Sequence, residues 1–390
     1  MKMALPVVAL GKLVDIVMGQ APSSKDCNFD GCGTPFVKVG EFGDLRPVIR
    51  EWTTNPLKMA LPTDVLLCVV GATCGKINLG EECAIGRSVA AIRPDKDKLD
   101  QFYLYYFMMT LVERLRDGSV GAAQTVISKG MIETVRLPDV PLPEQQRVVR
   151  ILDKAFASIT TARANAEKNL QNARALFESH LKSVFSQRGG GWAEKALGDI
   201  AKVKGGKRVP KGYKLLVEPT EFPYLRVADF TDTGTIGTND LRYISSEIHQ
   251  EIKNYVIYSK DLYISIAGTI GKTGIVPEEL DGAHLTENAC RLVFNPGISN
   301  QFVYYFTLTP DFAEQAGLHT RTAAQPKLAL ARLSTIKLWL PHITVQKRLA
   351  NEFDSIRQET QRLKSIYQQK LTALDELKKS LLHQAFSGQL

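Results

Sequence analysis

The stretch Leu152–Val184 reads LDKAFASITTARANAEKNLQNARALFESHLKSV. Its apolar and small residues recur at Leu152, Ala155, Ile159, Ala162, Ala166, Leu170, Ala173, Leu176 and Val184. From Pro143 to Gln187 no Gly or Pro interrupts the run, and Gly189-Gly190-Gly191 stops it. Steps of three and four predict one helix with a narrow heptad seam, and an extra step of four after Ala166 marks a stutter. Roughly 45 residues at 1.5 Å each give a helix about 65 Å long. A helix of that length with one apolar stripe needs a partner stripe. The chain supplies one. A shift of 201 (353 minus 152) carries every position onto Phe353, Ile356, Thr360, Leu363, Tyr367, Leu371, Leu374, Leu377 and Ala385, to which Leu381 adds a further step.

Working outward, the whole chain repeats. Leu10-Gly11-Lys12-Leu13 returns as Leu197-Gly198-Asp199-Ile200, and Pro35-Phe36-Val37-Lys38-Val39 as Pro223-Tyr224-Leu225-Arg226-Val227. Ala72-Thr73-Cys74-Gly75-Lys76 returns as Gly268-Thr269-Ile270-Gly271-Lys272, Tyr105-Tyr106-Phe107 as Tyr304-Tyr305-Phe306, and Ala122-Ala123-Gln124 as Ala323-Ala324-Gln325. The offset drifts from 187 (197 minus 10) to 201 (323 minus 122), then holds to Phe185 and its copy Phe386. Loops of unequal length therefore lie inside the globular parts, while the helical parts keep strict register. Short β-type runs bounded by Gly, Pro, Asp and Asn, with helices starting near Phe102 and Phe302, make each globular part a mixed α+β domain. The expected domains are residues 1–142 and 189–341, followed by helices over 143–188 and 342–390. The linker from Gln187 to Trp192 is short, which favours two antiparallel helices with one domain at the start of each and a pseudo-twofold repeat. The alternative is a helical hairpin buried in one larger core.

The 390 residues are ordinary for a soluble protein, with 44% hydrophobic and 23% charged residues. No apolar run is long enough for a membrane span, and Met1–Pro6 does not read as a secretory signal. Six unevenly placed cysteines do not form a disulfide framework, and the setting expected is the cytoplasm. Cys27 and Cys32 lack a second nearby pair, so zinc is not expected. The net charge of +8 sits mostly at the ends of the copies, with +4 on residues 143–188 and +3 on 342–390. Any nucleic-acid surface on the globular parts must therefore rest on local clustering of charge.

The segment around Gly271-Lys272-Thr273 resembles a phosphate loop only in part. The Walker pattern needs Gly at position 266, where this chain has Ile266. A tight glycine turn that presents Lys76 and Lys272 at matched places is the reading that remains. No dinucleotide or S-adenosylmethionine loop is evident, and the six histidines are scattered, so no catalytic group and no cofactor are expected. Lys202, Lys204, Lys207, Arg208 and Lys211 cluster among glycines, and the loop Gly317–Lys327 offers Arg, Gln, Thr and Lys, types suited to phosphates and base edges.

In combination these features resemble the specificity subunit of type I restriction–modification systems. The residues that carry the resemblance are the duplicated layout, the run Leu137-Pro138-Asp139-Val140-Pro141-Leu142-Pro143-Glu144-Gln145-Gln146 that opens the first helix, the Gly-Thr-x-Gly-Lys turn, and the closing Ala385-Phe386-Ser387-Gly388-Gln389-Leu390. The second entry, Leu340-Pro341-His342-Ile343-Thr344-Val345-Gln346, keeps the glutamine and loses the second proline. The resemblance implies a non-catalytic reader of double-stranded DNA, with two target-recognition domains that each read half of a split site. It also implies partners: two methyltransferase (modification) subunits, which carry the chemistry, and restriction subunits for cleavage. Candidate DNA contacts are Lys38, Lys76, Arg87, Lys207, Arg208, Arg226, Lys272, Arg321 and Gln325. Two other classes remain open at this point: a structural coiled-coil rod whose end domains bind protein, and a stand-alone nucleic-acid enzyme.

Overall fold

The strand-forming runs pair into three corresponding sheets in each copy, one of which has five strands in the first and four in the second. The computed structural model describes residues 5–112, 115, 126–187, 190–318 and 327–390. They divide into one unit of Met1–Glu167 with Gln368–Leu390 and another of Lys168–Tyr367. In the first unit an antiparallel sheet takes the order Val14–Met18, Val89–Pro94, Val65–Cys68, Ile77–Leu79. A second sheet pairs Thr34–Val37 with Cys83–Ile85 in parallel. In the second unit the corresponding strands are Ala201–Gly205, Ala289–Phe294, Leu262–Ser265 and Thr273–Gly274, with Pro223–Leu225 parallel to Ala283–Leu285.

Why the central strands are apolar throughout follows from the two-residue period of a strand. Leu66 points into the core shared with Val37 and Ile85, while Val65 and Leu67 point to the opposite face. On the neighbouring strand Val89 and Ala91 join the first core and Ala90 and Ile92 the second. A strand covered on both faces shows a continuous hydrophobic run instead of alternation.

The helix Gln101–Met109 fills the second of these cores and is buried from Tyr103 to Met108. Its N-cap Asp100 accepts hydrogen bonds from the Phe102 and Tyr103 amides. Asn300–Thr307 is its counterpart, capped by Ser299.

The two long helices run Leu142–Gln187 and Ile343–Phe386. Three repeated contacts fasten them to the domains. Gln145 is 2% exposed; its Nε2 donates to Lys98 O and Val140 O at 2.8 Å, and its Oε1 accepts from the Asp100 amide at 2.8 Å. Gln346, 1% exposed, donates to Pro341 O at 2.8 Å and Gly297 O at 3.5 Å and accepts from the Ser299 amide at 2.9 Å. Each glutamine thus ties the first turn of a long helix to the N-cap of an aromatic helix. About two turns further on, the Tyr106 hydroxyl donates to Asp153 and the Tyr305 hydroxyl to Asp354. The far ends of the helices repeat as well: Phe386 packs 5.0 Å from Tyr103 and 5.2 Å from Phe107, and Phe185 packs 5.2 Å from Phe302.

Inside each unit the two helix segments are antiparallel. In the first, Arg163 pairs with Asp375 while Arg147 reaches Leu390 O. In the second, His180 lies 3.1 Å from Glu352. The expected seam is buried at Leu152, Ala166, Leu170 and Ala173. It departs from expectation at Leu176 and its copy Leu377, which are 51% and 46% exposed. Leu181 and Leu382 take over, packed into the cores that hold Phe302 and Tyr103. The reason is a change of partner: the last turns of each helix pack on a sheet domain, so the buried stripe rotates.

The second domain adds the helix Ser246–Ile252, and with it a histidine pair. His249 Nδ1 lies 2.9 Å from Nε2 of buried His284, whose Nδ1 has no partner among the described residues. Burial, and then the neighbouring His249, push His284 down to about 4 from an ordinary 6.5.

Two outcomes follow. Gln145→Leu leaves one amide and two carbonyls of the latch unpaired in a dry site, which costs about 3 kcal/mol; urea unfolding at neutral pH measures it. His284 stays neutral when folded, so between about 4 and 6.5 the unfolded chain binds the additional proton. The stability present above 6.5 is then lost as pH falls through about 4, and His284→Gln flattens this slope in urea midpoints compared across that window.

Candidate nucleic-acid interface

In each unit one tight turn joins the two sheets. In the first it is Gly86–Ser88, and four backbone bonds pin it: the Gly86 amide donates to Val37 O, Gln20 to Ile85 O, Gly19 to Val89 O and Val69 to Ser88 O, all at 2.9 Å. The second unit repeats every bond. There Thr286 donates to Leu225 O (3.0 Å), Lys207 to Leu285 O (2.8 Å), Gly206 to Ala289 O (2.9 Å) and Ile266 to Asn288 O (2.8 Å). Gly19 and Gly206 are needed for this approach, since a Cβ would fall 2.2 Å from Gly86 O and 2.1 Å from Thr286 O. Val126 bridges to Val70 and Lys327 to Ala267, so the residue at which each described segment resumes is held at an equivalent place in the two units. Arg321 and Gln325 themselves lie outside the described residues.

The side chains around this junction differ between copies, and the candidates divide accordingly. Lys38 pairs with Glu51 and lies 5.5 Å from the Phe36 ring centre. Its copy Arg226 donates to Asp229 at 2.7 and 3.1 Å and to the Asp240 carboxylate at 3.1 Å. Hydrogen bonds to Asp229 raise Arg226 above its ordinary value despite partial burial. Arg87 is exposed, with no ion-pair partner among the described residues. Lys207 is exposed too, its ammonium 5.6 Å from the Tyr255 ring. Arg208 Nε donates to Glu287 at 2.6 Å.

The glycine turns lie next to the junction. Gly71 and Gly75, and Gly268 and Gly271, all have positive φ, and Cys68 and Ser265 receive equivalent bonds from Gly75 and Gly271. The two lysines diverge: Lys76 is exposed, whereas Lys272 Nζ donates to Phe230 O at 2.9 Å and lies 3.0 Å from Asp232. The junction thus gathers Arg208 and Arg226 around one groove of about 520 Å3 in the second unit, and Lys38 beside Gly86 in the first.

Glu287 and Asn288 belong to the junction and were not singled out in the sequence; Lys327, noted there only as part of the Gly317–Lys327 loop, joins them. Glu287 accepts from Arg208 on Oε1 and from Thr286 Oγ1 at 3.0 Å on Oε2, and Lys327 Nζ donates to its carbonyl at 2.9 Å. Burial pushes the Glu287 carboxyl up, but the Arg208 and backbone hydrogen bonds outweigh it and hold the group below its usual range. The available signal was alignment of the copies, which sets Ile85-Gly86-Arg87-Ser88 against Leu285-Thr286-Glu287-Asn288. Among the described residues no three His, Cys, Asp or Glu side chains are grouped to hold a metal, and no helix is long and apolar enough to cross a membrane.

The sequence pattern of the type I restriction modification DNA specificity domain matches twice, over residues 5–169 and 189–372. The type I restriction enzyme MjaVIII specificity subunit of Methanocaldococcus jannaschii is 22% identical over 98% of this chain and 92% of that protein. The EcoBI specificity subunit of Escherichia coli is 20% identical over 98% and 85%. A shorter match, 31% identical over 172 residues, spans 43% of this chain and 40% of a protein provisionally assigned as the MjaX specificity subunit of M. jannaschii. In fold, a chain from a structural study of assembly and conformational transition in the type I R-M system superposes with a TM-score of 0.79 at 17% identity, covering 99% of this chain and 98% of the other. The HsdS subunit of Thermoanaerobacter tengcongensis does so with 0.67 at 17% identity, covering 99% and 97%.

Arg226→Ala is expected to destabilise the chain by about 3 kcal/mol, because it strands the buried Asp229 carboxylate. Arg87→Ala is expected to leave stability unchanged. Paired thermal denaturation curves test the contrast.

Proposed function

This chain belongs to the type I restriction modification DNA specificity family, and from that premise we propose that it is the non-catalytic DNA-reading subunit of a methylating and restricting complex. Its two globular parts, residues 1–142 and 189–341, each read one half of a split site in double-stranded DNA. The helical parts, 143–188 and 342–390, carry two modification subunits and, through them, the restriction subunits. The chemistry of methylation and cleavage resides in those partners.

One observation carries this reading: the same junction turn is held by the same four backbone bonds in both units, while the side chains it displays change from copy to copy. A constant frame with variable polar groups is what two readers of different half-sites require. The cations Lys207, Arg208 and Lys327 on one edge, and Arg87 and Lys76 on the other copy, suit phosphate and base contacts alike. Arg321 and Gln325 belong to the same reading, since Lys327, close after them in the sequence, bridges to Ala267 beside the junction.

Co-expression with the modification subunit of a type I system, followed by genome-wide mapping of methylated adenines, is expected to return a bipartite motif. Replacing Arg321 or Gln325 should then blur one half and leave the other intact. Methylation or cleavage by the purified chain alone, or simultaneous loss of both halves, would refute the proposal.

A further inference from the structure

The middle residue of the junction turn is Arg87 in one copy and Glu287 in the other. Both stand on the same backbone frame, so the two domains present opposite charges at one equivalent point. We propose that this residue is a base-reading group in each domain: Arg87 recognises a guanine and Glu287 the amino group of a cytosine. The proposal rests on the DNA-reading role above and goes further by naming the group and the base.

Three features separate Glu287 from an ordinary surface carboxylate. Each of its oxygens already accepts one fixed hydrogen bond, from Arg208 at 2.6 Å and from Thr286 at 3.0 Å, so the group is oriented before any ligand arrives. It lines an open groove beside Tyr213, Tyr224, Arg208 and Asn288, and its side chain is partly exposed, so a base edge that enters the groove can reach it. Cations also stand against it: Arg208 on its carboxylate and Lys327 on its carbonyl. A bare carboxylate beside DNA would repel phosphates, and this cationic collar offsets the repulsion. An ionised carboxylate only accepts, and the exposed amino group of cytosine in the major groove donates.

Arg87 is the complement. It is exposed and makes no ion pair among the described residues, so its planar fork is free for the two acceptors of guanine, N7 and O6. Arg208 is then a positioning residue for Glu287.

The test uses the full chain with its modification partners. Methylated sites are mapped for wild type, Arg87→Gln and Glu287→Gln. Each variant should lose about 5- to 100-fold discrimination at a single base pair of a single half-site, a different half for each variant, with the other half unchanged. A guanine should be the base released by Arg87→Gln and a cytosine by Glu287→Gln. Arg87 has no ion-pair partner to lose among the described residues, so its variant keeps the test decisive even if Glu287→Gln lowers the melting temperature. Full methylation of the unaltered motif by both variants would overturn this inference while leaving the DNA-reading role in place. A wild-type motif without two halves would overturn the role itself, and the inference with it.

Discussion

The structure depends on a buried glutamine used twice. Gln145 and Gln346 each sit in the first turn of a long helix and spend all of their amide on backbone groups that would otherwise be unpaired in a dry site. The consequence is geometric. The N-cap of the aromatic helix, the end of the preceding loop and the start of the long helix are held to one another by bonds near 2.8 Å, so the helix leaves its domain in one direction. The tyrosine–aspartate contact about two turns later removes the remaining freedom of rotation about the helix axis. An apolar side chain could fill the volume, but it could not specify direction.

Given that anchorage, each core is built from three pieces of chain. The first contains its own domain, the start of the first long helix (Val148, Leu152) and the end of the second (Leu382, Ala385). The second is built from its domain, Leu349 and Phe353, and Leu181. Each long helix thus contributes to both cores, which explains why the helical register is conserved between the copies while loop lengths drift. An inserted residue in the helix would rotate its far end by about 100° and expose the aromatic that closes the other core.

The junction turn shows how variation is tolerated beside such constraint. Its position comes from amide–carbonyl bonds and two glycines, which do not depend on side-chain identity at 20, 38, 87 and 88 or their copies. Charge can therefore reverse from Arg87 to Glu287 without disturbing the sheets. Arg226 and Lys272 show the opposite situation, where cations at matched positions are consumed by local carboxylates and carbonyls and so serve the fold.

Much of this was legible in the linear chain. Heptad spacing, the 201-residue register and the linker near Gly190 specify two long helices and a duplicated mixed domain, because periodicity and repetition are local properties that burial imposes directly on residue type. The glutamine in each helix entry was visible as a repeated letter, but its three bonds were not. Tertiary structure alone decided which cations are paired among the described residues, because Lys76 and Lys272 share a motif and differ only in what the fold places within reach. It also decided where the seam ends, since Leu176 is as apolar as Leu181 and only the approach of a sheet domain selects between them. Pattern records which residues can be buried; the partner that buries them, or neutralises their charge, comes from elsewhere in the chain, and no local spacing encodes it.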